Sequence, residues 1–277
     1  MSDDGILYLT DDRAIKSVRV NKYPDGMPLV PHASGFRTVS RILLRPSSLE
    51  TFVTAMFWVD AMVARWGSSP LMPGLILPFI PGARQDRLND SGDYLFTLKS
   101  VAKMINERSF SSVTVLDPHS EVATALIDRC HVIPASDCVP KASYAGVISP
   151  DAGAEKRAGA VATKLGVPLY HGWKKRDVST GKISGFGCEP LPKGIGRVLV
   201  VDDICDGGGT FLGLFDAMNF GTGQVAADLY VTHGIFSQGT AALLSRYGTV
   251  YTTDSILGAP RTSGVSVLPI CERLLTP

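Results

Sequence analysis

Between Val198 and Phe211 the chain reads VLVVDDICDGGGTF. An apolar run meets two adjacent acids, then a third acid, three glycines and a threonine. Continuous apolar runs of this length are what the central strands of parallel sheets look like, because both of their faces are covered. Glycines between such a strand and a helix let backbone N–H groups turn toward an anion with no Cβ in the way. This one stretch therefore constrains the chain to a strand–turn–helix unit with a ligand at the strand exit.

The rest of the chain repeats that grammar. Ile6–Leu9, Val39–Leu44, Leu75–Ile80 and Ser112–Leu116 read as strands. Leu49–Trp66 has Leu49, Phe52, Val53, Met56, Val59 and Val63 at helical spacing, and a helix begins at Glu121. The pattern restarts near Tyr144. AGVISP is a strand, AEKRAGAVATKLG a helix closed by Gly166, Arg197–Val201 a strand and Thr210–Met218 a helix. Val225–Thr232 is a further strand and Thr240–Tyr247 a helix. Such alternation implies an α/β protein of two similar domains, each a mostly parallel sheet flanked by helices. The polar, proline-bearing IPASDCVPKAS divides them, giving domains over 1–138 and 139–277, with the last residues expected to pack back on the first domain.

Composition narrows the partners. A net charge of +1 gives no electrostatic footprint for nucleic acid. The most apolar stretch, PLMPGLILPFIPGA, carries four prolines and is too short to span a bilayer. The N-terminus is acidic, unlike a signal peptide, and the five cysteines show no CxxC pair. A cytoplasmic protein with reduced thiols and without a membrane partner is expected.

The opening stretch is not a nucleotide P-loop, which needs GxxxxGK[ST], nor a GxGxxG dinucleotide turn. Asp202 and Asp203 stand where carboxylates accept hydrogen bonds from two vicinal sugar hydroxyls. Asp206, Gly207, Gly208, Gly209 and Thr210 form a turn suited to a phosphate, aided by the helix N-terminus. The full string resembles the ribose-phosphate loop of the type I phosphoribosyltransferase fold. That resemblance implies two acids on the ribose hydroxyls and the following residues on the 5-phosphate.

Further segments separate members of that fold. PFIPGARQDR, KYPDGMPLV, VTVLDPHSE, GVISPDAGAEKRA, LYHGWKKRD and VTHGIFSQGTAALL resemble segments of ribose-phosphate diphosphokinases, also called phosphoribosyl pyrophosphate synthetases. The resemblance to this family covers about Ile6 to Leu275. It implies ATP binding by Arg84, Gln85, Asp86 and Arg87, and by Asp25 and Gly26, the last two reaching a neighbouring subunit. It implies Lys174, Arg176 and His119 as catalytic residues, and His119 and Asp151 as magnesium ligands, with Arg157 keeping a basic position after Asp151. His233 is read as structural. The expected reaction moves the β,γ-diphosphate of ATP to ribose 5-phosphate, in a homo-oligomer built from dimers. Met27 replaces the family's usual glutamate, and the segment after Arg176 shares no detailed sequence with it. A phosphoribosyltransferase and a non-catalytic, synthetase-like regulatory subunit are the alternatives.

Overall fold

A computed structural model of the protein describes residues 6–10, 15–18, 21–29, 39–66, 72–88, 95–176, 183–218, 225–260 and 262–275. The chain forms two compact units. One comprises Met1–Ile133, Ser255–Leu257 and Pro269–Pro277, the other Pro134–Asp254 and Gly258–Leu268. Among the described residues no helix is long and apolar enough to cross a membrane.

The strands of the first unit are β1 (Ile6–Thr10), β2 (Ile15–Ser17), β3 (Asn21–Lys22), β4 (Pro28–Leu29), β5 (Val39–Leu44), β6 (Gly74–Leu77), β7 (Val113–Leu116) and β8 (Cys130–Ile133). Its main sheet has the order β2-β1-β5-β6-β7-β8. From β5 to β8 the pairing is parallel, and β1 is antiparallel to both neighbours. β3 and β4 make a separate two-stranded ribbon. Helix α1 (Leu49–Trp66) starts where the Ser48 hydroxyl accepts the Thr51 N–H at 3.1 Å. It buries Phe52, Ala55, Met56, Val59 and Met62. The sheet answers with Ile42, Leu44, Leu75, Leu77, Val113 and Val115, and α2 (Thr97–Asn106) adds Leu98, Val101 and Ile105. Helix α3 (Glu121–Leu126) follows β7. In a separate cluster Leu43 and Ile76 pack against Cys271 and Leu275, so the C-terminal segment is part of this unit.

The second unit holds β9 (Gly146–Ser149), β10 (Leu169–Arg176), β11 (Ile183–Cys188), β12 (Val198–Cys205), β13 (Ala227–Gly234), β14 (Val250–Thr253) and β15 (Val265–Leu268). Their order is β11-β10-β9-β12-β13-β14-β15, and all are parallel except β11. β12 lies at the centre, with every residue from Val198 to Val201 buried. Helices α4 (Glu155–Leu165), α5 (Gly209–Met218) and the short α6 (Ala241–Leu244) connect the strands. α4 ends as expected at Gly166, whose φ of +69° only glycine adopts without strain.

Three sequence expectations shift. β6 stops at Leu77, because Pro78 lacks the N–H that would continue the ladder. The helix read over Thr240–Tyr247 is only Ala241–Leu244. β12 runs on to Cys205, beyond the Val201 end read from its apolar run, because β13 continues to pair with it through Ile204↔His233 and Cys205↔Gly234.

Candidate active site

The extension of β12 places Asp202 and Asp203 inside a paired strand rather than after it. Asp202 Oδ1 accepts the Asp203 N–H at 2.8 Å, which fixes the first carboxylate over its own backbone. Arg157, in the first turn of α4, faces both acids: Nη1 is 3.5 Å from Asp202 Oδ1 and Nη2 is 3.7 Å from Asp203 Oδ2. Burial, and then the charge of Asp203, push the Asp202 carboxyl well above the usual carboxylate range, with Arg157 pulling the other way. Two crowded carboxylates facing one guanidinium form an arrangement that can accept hydrogen bonds from a pair of vicinal hydroxyls.

The chain then turns on Gly208, which has φ +81°. A side chain there would be strained and would press on Leu243. The Gly208 carbonyl accepts from the Phe211 and Leu212 N–H groups, so α5 begins at the turn itself. Asp206 accepts a hydrogen bond from the Ser237 hydroxyl at 2.6 Å, and the Cys205 carbonyl accepts the N–H groups of Ile235 and Phe236. The segment after β13 thus braces the far wall of the turn. Gly207, Gly209 and the partly exposed Thr210 complete a shallow cradle at a helix N-terminus.

Asp151 follows β9 and caps the next turn. Its Oδ1 accepts N–H groups from Gly153 at 2.9 Å and Ala154 at 3.3 Å. Its Oδ2 accepts from Lys174 Nζ at 2.5 Å. Lys174 projects from β10, which pairs with β11 through Lys174↔Phe186. Arg176 ends β10, but its side chain and residues 177–182 lie outside the described residues. Phe186 packs over Gly213 of α5, and Gly172 lets β10 pass close to Leu214 and the Ser149 carbonyl. The hairpin bearing Lys174 is thereby seated on the helix that ends the cradle.

In the first unit the expected ATP-binding residues Arg84, Gln85, Asp86 and Arg87 follow β6, and His119 follows β7. Arg84, Gln85 and Arg87 are all exposed to solvent. The Thr97 hydroxyl donates to Gln85 Oε1. Asp86 is buried, and Arg87 binds it with Nε at 2.9 Å and Nη2 at 3.3 Å. Burial pushes the Asp86 carboxyl up, but the hydrogen bonds and charge of Arg87, with the charge of His119, win and hold it below its ordinary value. His119 follows Asp117, a buried residue at φ +39°. The structure brings Asp86, Arg87 and His119 together. Asp25 and Gly26 sit at the exposed tip of the β3–β4 ribbon, where Asp25 Oδ1 accepts the Met27 N–H at 3.0 Å. His233 is buried in β13, in keeping with its structural reading.

Sequence reasoning passed over three contacts: Arg157 against the acid pair, Ser237 against Asp206, and Phe186 on Gly213. Arg157 had a legible signal, since a residue in the first turn of a helix after a strand-end acid lies near the strand exits. The other two join segments far apart in sequence.

No protein-family model matches the chain. Curated relatives do. The ribose-phosphate pyrophosphokinase of Bradyrhizobium diazoefficiens is 31% identical, over 71% of this chain and 65% of its own length. The chain's match therefore spans just under two thirds of that relative. The Pyrococcus furiosus ribose-phosphate pyrophosphokinase is 26% identical over 94% of this chain and 93% of its own. Among solved structures, the phosphoribosylpyrophosphate synthetase of Mycobacterium smegmatis superposes with a TM-score of 0.78 over 95% of this chain and 89% of its own, at 22% identity. The likeness in sequence runs through nearly the whole chain and the likeness in fold covers both units, so the chain is similar to ribose-phosphate pyrophosphokinases in sequence and shares the fold of a phosphoribosylpyrophosphate synthetase.

Proposed function

We propose that the chain is a ribose-phosphate diphosphokinase, which transfers the β,γ-diphosphate of ATP to the 1-hydroxyl of ribose 5-phosphate and releases AMP. The observation that carries this reading is the paired-strand position of Asp202 and Asp203, with Arg157 facing them and the glycine turn directly after them. Similarity in sequence to ribose-phosphate pyrophosphokinases supports it.

In this reading Asp202 and Asp203 accept the 2- and 3-hydroxyls, and Asp206 to Thr210 hold the 5-phosphate. Arg84, Gln85 and Arg87 bind ATP, Asp86 orients Arg87, and Asp25 and Gly26 reach the adenine of a neighbouring subunit. The 1-hydroxyl oxygen attacks the β-phosphorus in line. The bond from that phosphorus to the α-phosphate oxygen breaks, its electrons leave with AMP, and the hydroxyl proton is lost. Such transfers need positioning and charge neutralisation above all. Lys174 and Arg176 supply positive charge to the moving diphosphate, and His119 orients the ATP phosphates.

Magnesium fits the donor set. Among the described residues no three such side chains form a complete metal cage. Magnesium needs none, since it keeps several waters and takes one or two carboxylates with substrate phosphates. We assign Asp151 to one magnesium ion and His119 to a second, and bound there the ions would neutralise charge on the substrates. Five cysteines outside any disulfide suit a reducing compartment, so we assign the protein to the cytoplasm, as a homodimer or a multiple of one.

The test is AMP release from ATP and magnesium with and without ribose 5-phosphate. Sugar-dependent AMP matched by 5-phosphoribosyl 1-diphosphate is expected. A folded protein that binds ribose 5-phosphate yet makes no AMP overturns the reading in favour of a transferase or a regulatory subunit.

A further inference from the structure

The three acids at the strand exits of the second unit each face a cation of the chain's own. Arg157 faces Asp202 and Asp203, and Lys174 binds Asp151. The Lys174 contact is built into the sheet. β10 and β9 run parallel with His171 opposite Ser149, so Lys174, three residues on within β10, and Asp151, two residues on and just past β9, stand side by side at the same end of the sheet. Asp151 is fixed from its other oxygen by two backbone N–H groups. Its carboxylate is therefore aimed before any ligand arrives, and Lys174 occupies the second oxygen.

We propose that Lys174 and a divalent cation hold Asp151 in alternation, so that metal entry releases the lysine for the transferring diphosphate. Lys174 would then serve as a placeholder for the metal in the empty enzyme and as a cation for the diphosphate in the loaded one. The proposal rests on the reading above that Asp151 takes the metal. The geometry favours exchange over a permanent pair. The Lys174 and Asp151 side chains are 27% and 17% exposed, so the pair is partly buried yet still reachable by a cation from solvent. Magnesium also prefers hard carboxylate oxygens such as the one Lys174 covers. Lys174 stands in the last three residues of its strand, so its side chain can swing without unpairing the sheet's interior. A metal arriving without substrate would thus raise the positive charge at the site twice, once by its own binding and once by freeing the ammonium group.

The experiment measures Mn2+ binding by the free-ion electron paramagnetic resonance signal, with no substrate present. The full chain is compared with Lys174→Met and Asp151→Asn, each checked for native folding by circular dichroism. Lys174→Met is expected to bind Mn2+ several-fold more tightly, and Asp151→Asn to lose that site. A second measurement uses the unaltered protein: the rate at which an acetylating reagent modifies Lys174, read by peptide mass spectrometry, should rise several-fold on adding Mg2+. Unchanged or weaker Mn2+ binding in a folded Lys174→Met, or a Lys174 rate indifferent to Mg2+, overturns the proposal. Neither readout requires catalysis. A protein that exchanges lysine for metal but makes no 5-phosphoribosyl 1-diphosphate retains this inference and loses the proposed function, and the reverse result does the opposite.

Discussion

The ring of Phe186 occupies the space where a side chain of residue 213 would stand, so Gly213 is the seat on which the β10–β11 hairpin rests against α5. This joins the strand carrying Lys174 to the helix whose first turn closes the phosphate cradle. Gly213→Val forces the ring off its seat. Overpacking of this kind costs about 1–3 kcal/mol. The expected result is a lower melting temperature and weaker ribose 5-phosphate binding by calorimetry. A Gly213→Val protein that melts and binds like the original would show that the hairpin has another anchor.

Asp202 sets stability against binding. Unfolded, its carboxyl titrates near ~3.9. Folded, burial and Asp203 raise it well above that. A raised acid contributes stability that is fully present below the unfolded pKa and is lost as pH rises through the folded one. Asp202→Asn stays neutral throughout, so at pH 8 it should melt at a higher temperature than the original, with the difference closing toward pH ~4. The same change should weaken ribose 5-phosphate binding about ten- to a hundredfold, the worth of a charge-assisted hydrogen bond. Scanning calorimetry across pH and a sugar titration check both halves.

Asp228 answers to the fold alone. Buried in β13, it accepts from Arg197 Nη1 at 2.7 Å, the Thr249 N–H at 2.9 Å and the Tyr144 hydroxyl at 3.1 Å. Burial, and then the Asp228 charge, push the Tyr144 hydroxyl far up, so it remains a donor at all working pH values. Asp228→Ala takes the carboxylate from that buried hydroxyl and should cost about 2–3 kcal/mol, with Arg197, half-exposed, rescued by water. Denaturant unfolding measures the loss; the KM for ribose 5-phosphate of the folded fraction should not move.

Cys205 lies at the end of β12, fully buried, and burial followed by the charges of Asp202 and Asp206 pushes its thiol up to about 12. Cys188 is pushed up to about 11, by burial and Glu189. Thiolate is the reactive form. Iodoacetamide at pH 8 should therefore leave both unlabelled in the native protein and modify them in urea, as read by peptide mass spectrometry. Native labelling of Cys205 would mean that the cradle opens far more often than its packing implies.

Much of this was legible in the residues, for reasons that differ by element. Val39–Leu44 and Leu49–Trp66 declare themselves through periodicity and end where read, because Pro46 and Ser48 punctuate the chain between them. α2 is equally periodic through Leu98, Val101, Ala102 and Ile105, yet Leu95 and Phe96 before it offer no side-chain cap to announce the start. β11 escaped because ISGFGC places glycine at two of its six positions, and close packing, as at Gly187 beneath Trp173, is visible only in the fold. The end of β12 could not be read from its own letters. Acids normally close a strand, and only the pairing offered by His233 and Gly234 keeps this one extended. The cradle residues were legible as a string. Arg157, Ser237 and Phe186 reach them through space, and no local pattern carries that.

The two halves of the cradle differ in stiffness. Asp202 and Asp203 are pinned within the central ladder of a seven-stranded sheet, whereas residues 206–209 hinge on glycine. One jaw of this vice is fixed and the other adjustable. Under the proposed function, diversity introduced at 206, 207 and 209, with Gly208 kept for its positive φ, would retune the size and charge of the anion accepted while the diol stays in register. Diversity at 202–203 would work against the sheet itself, so any drift of this protein toward new sugar phosphates has its freedom at the phosphate end.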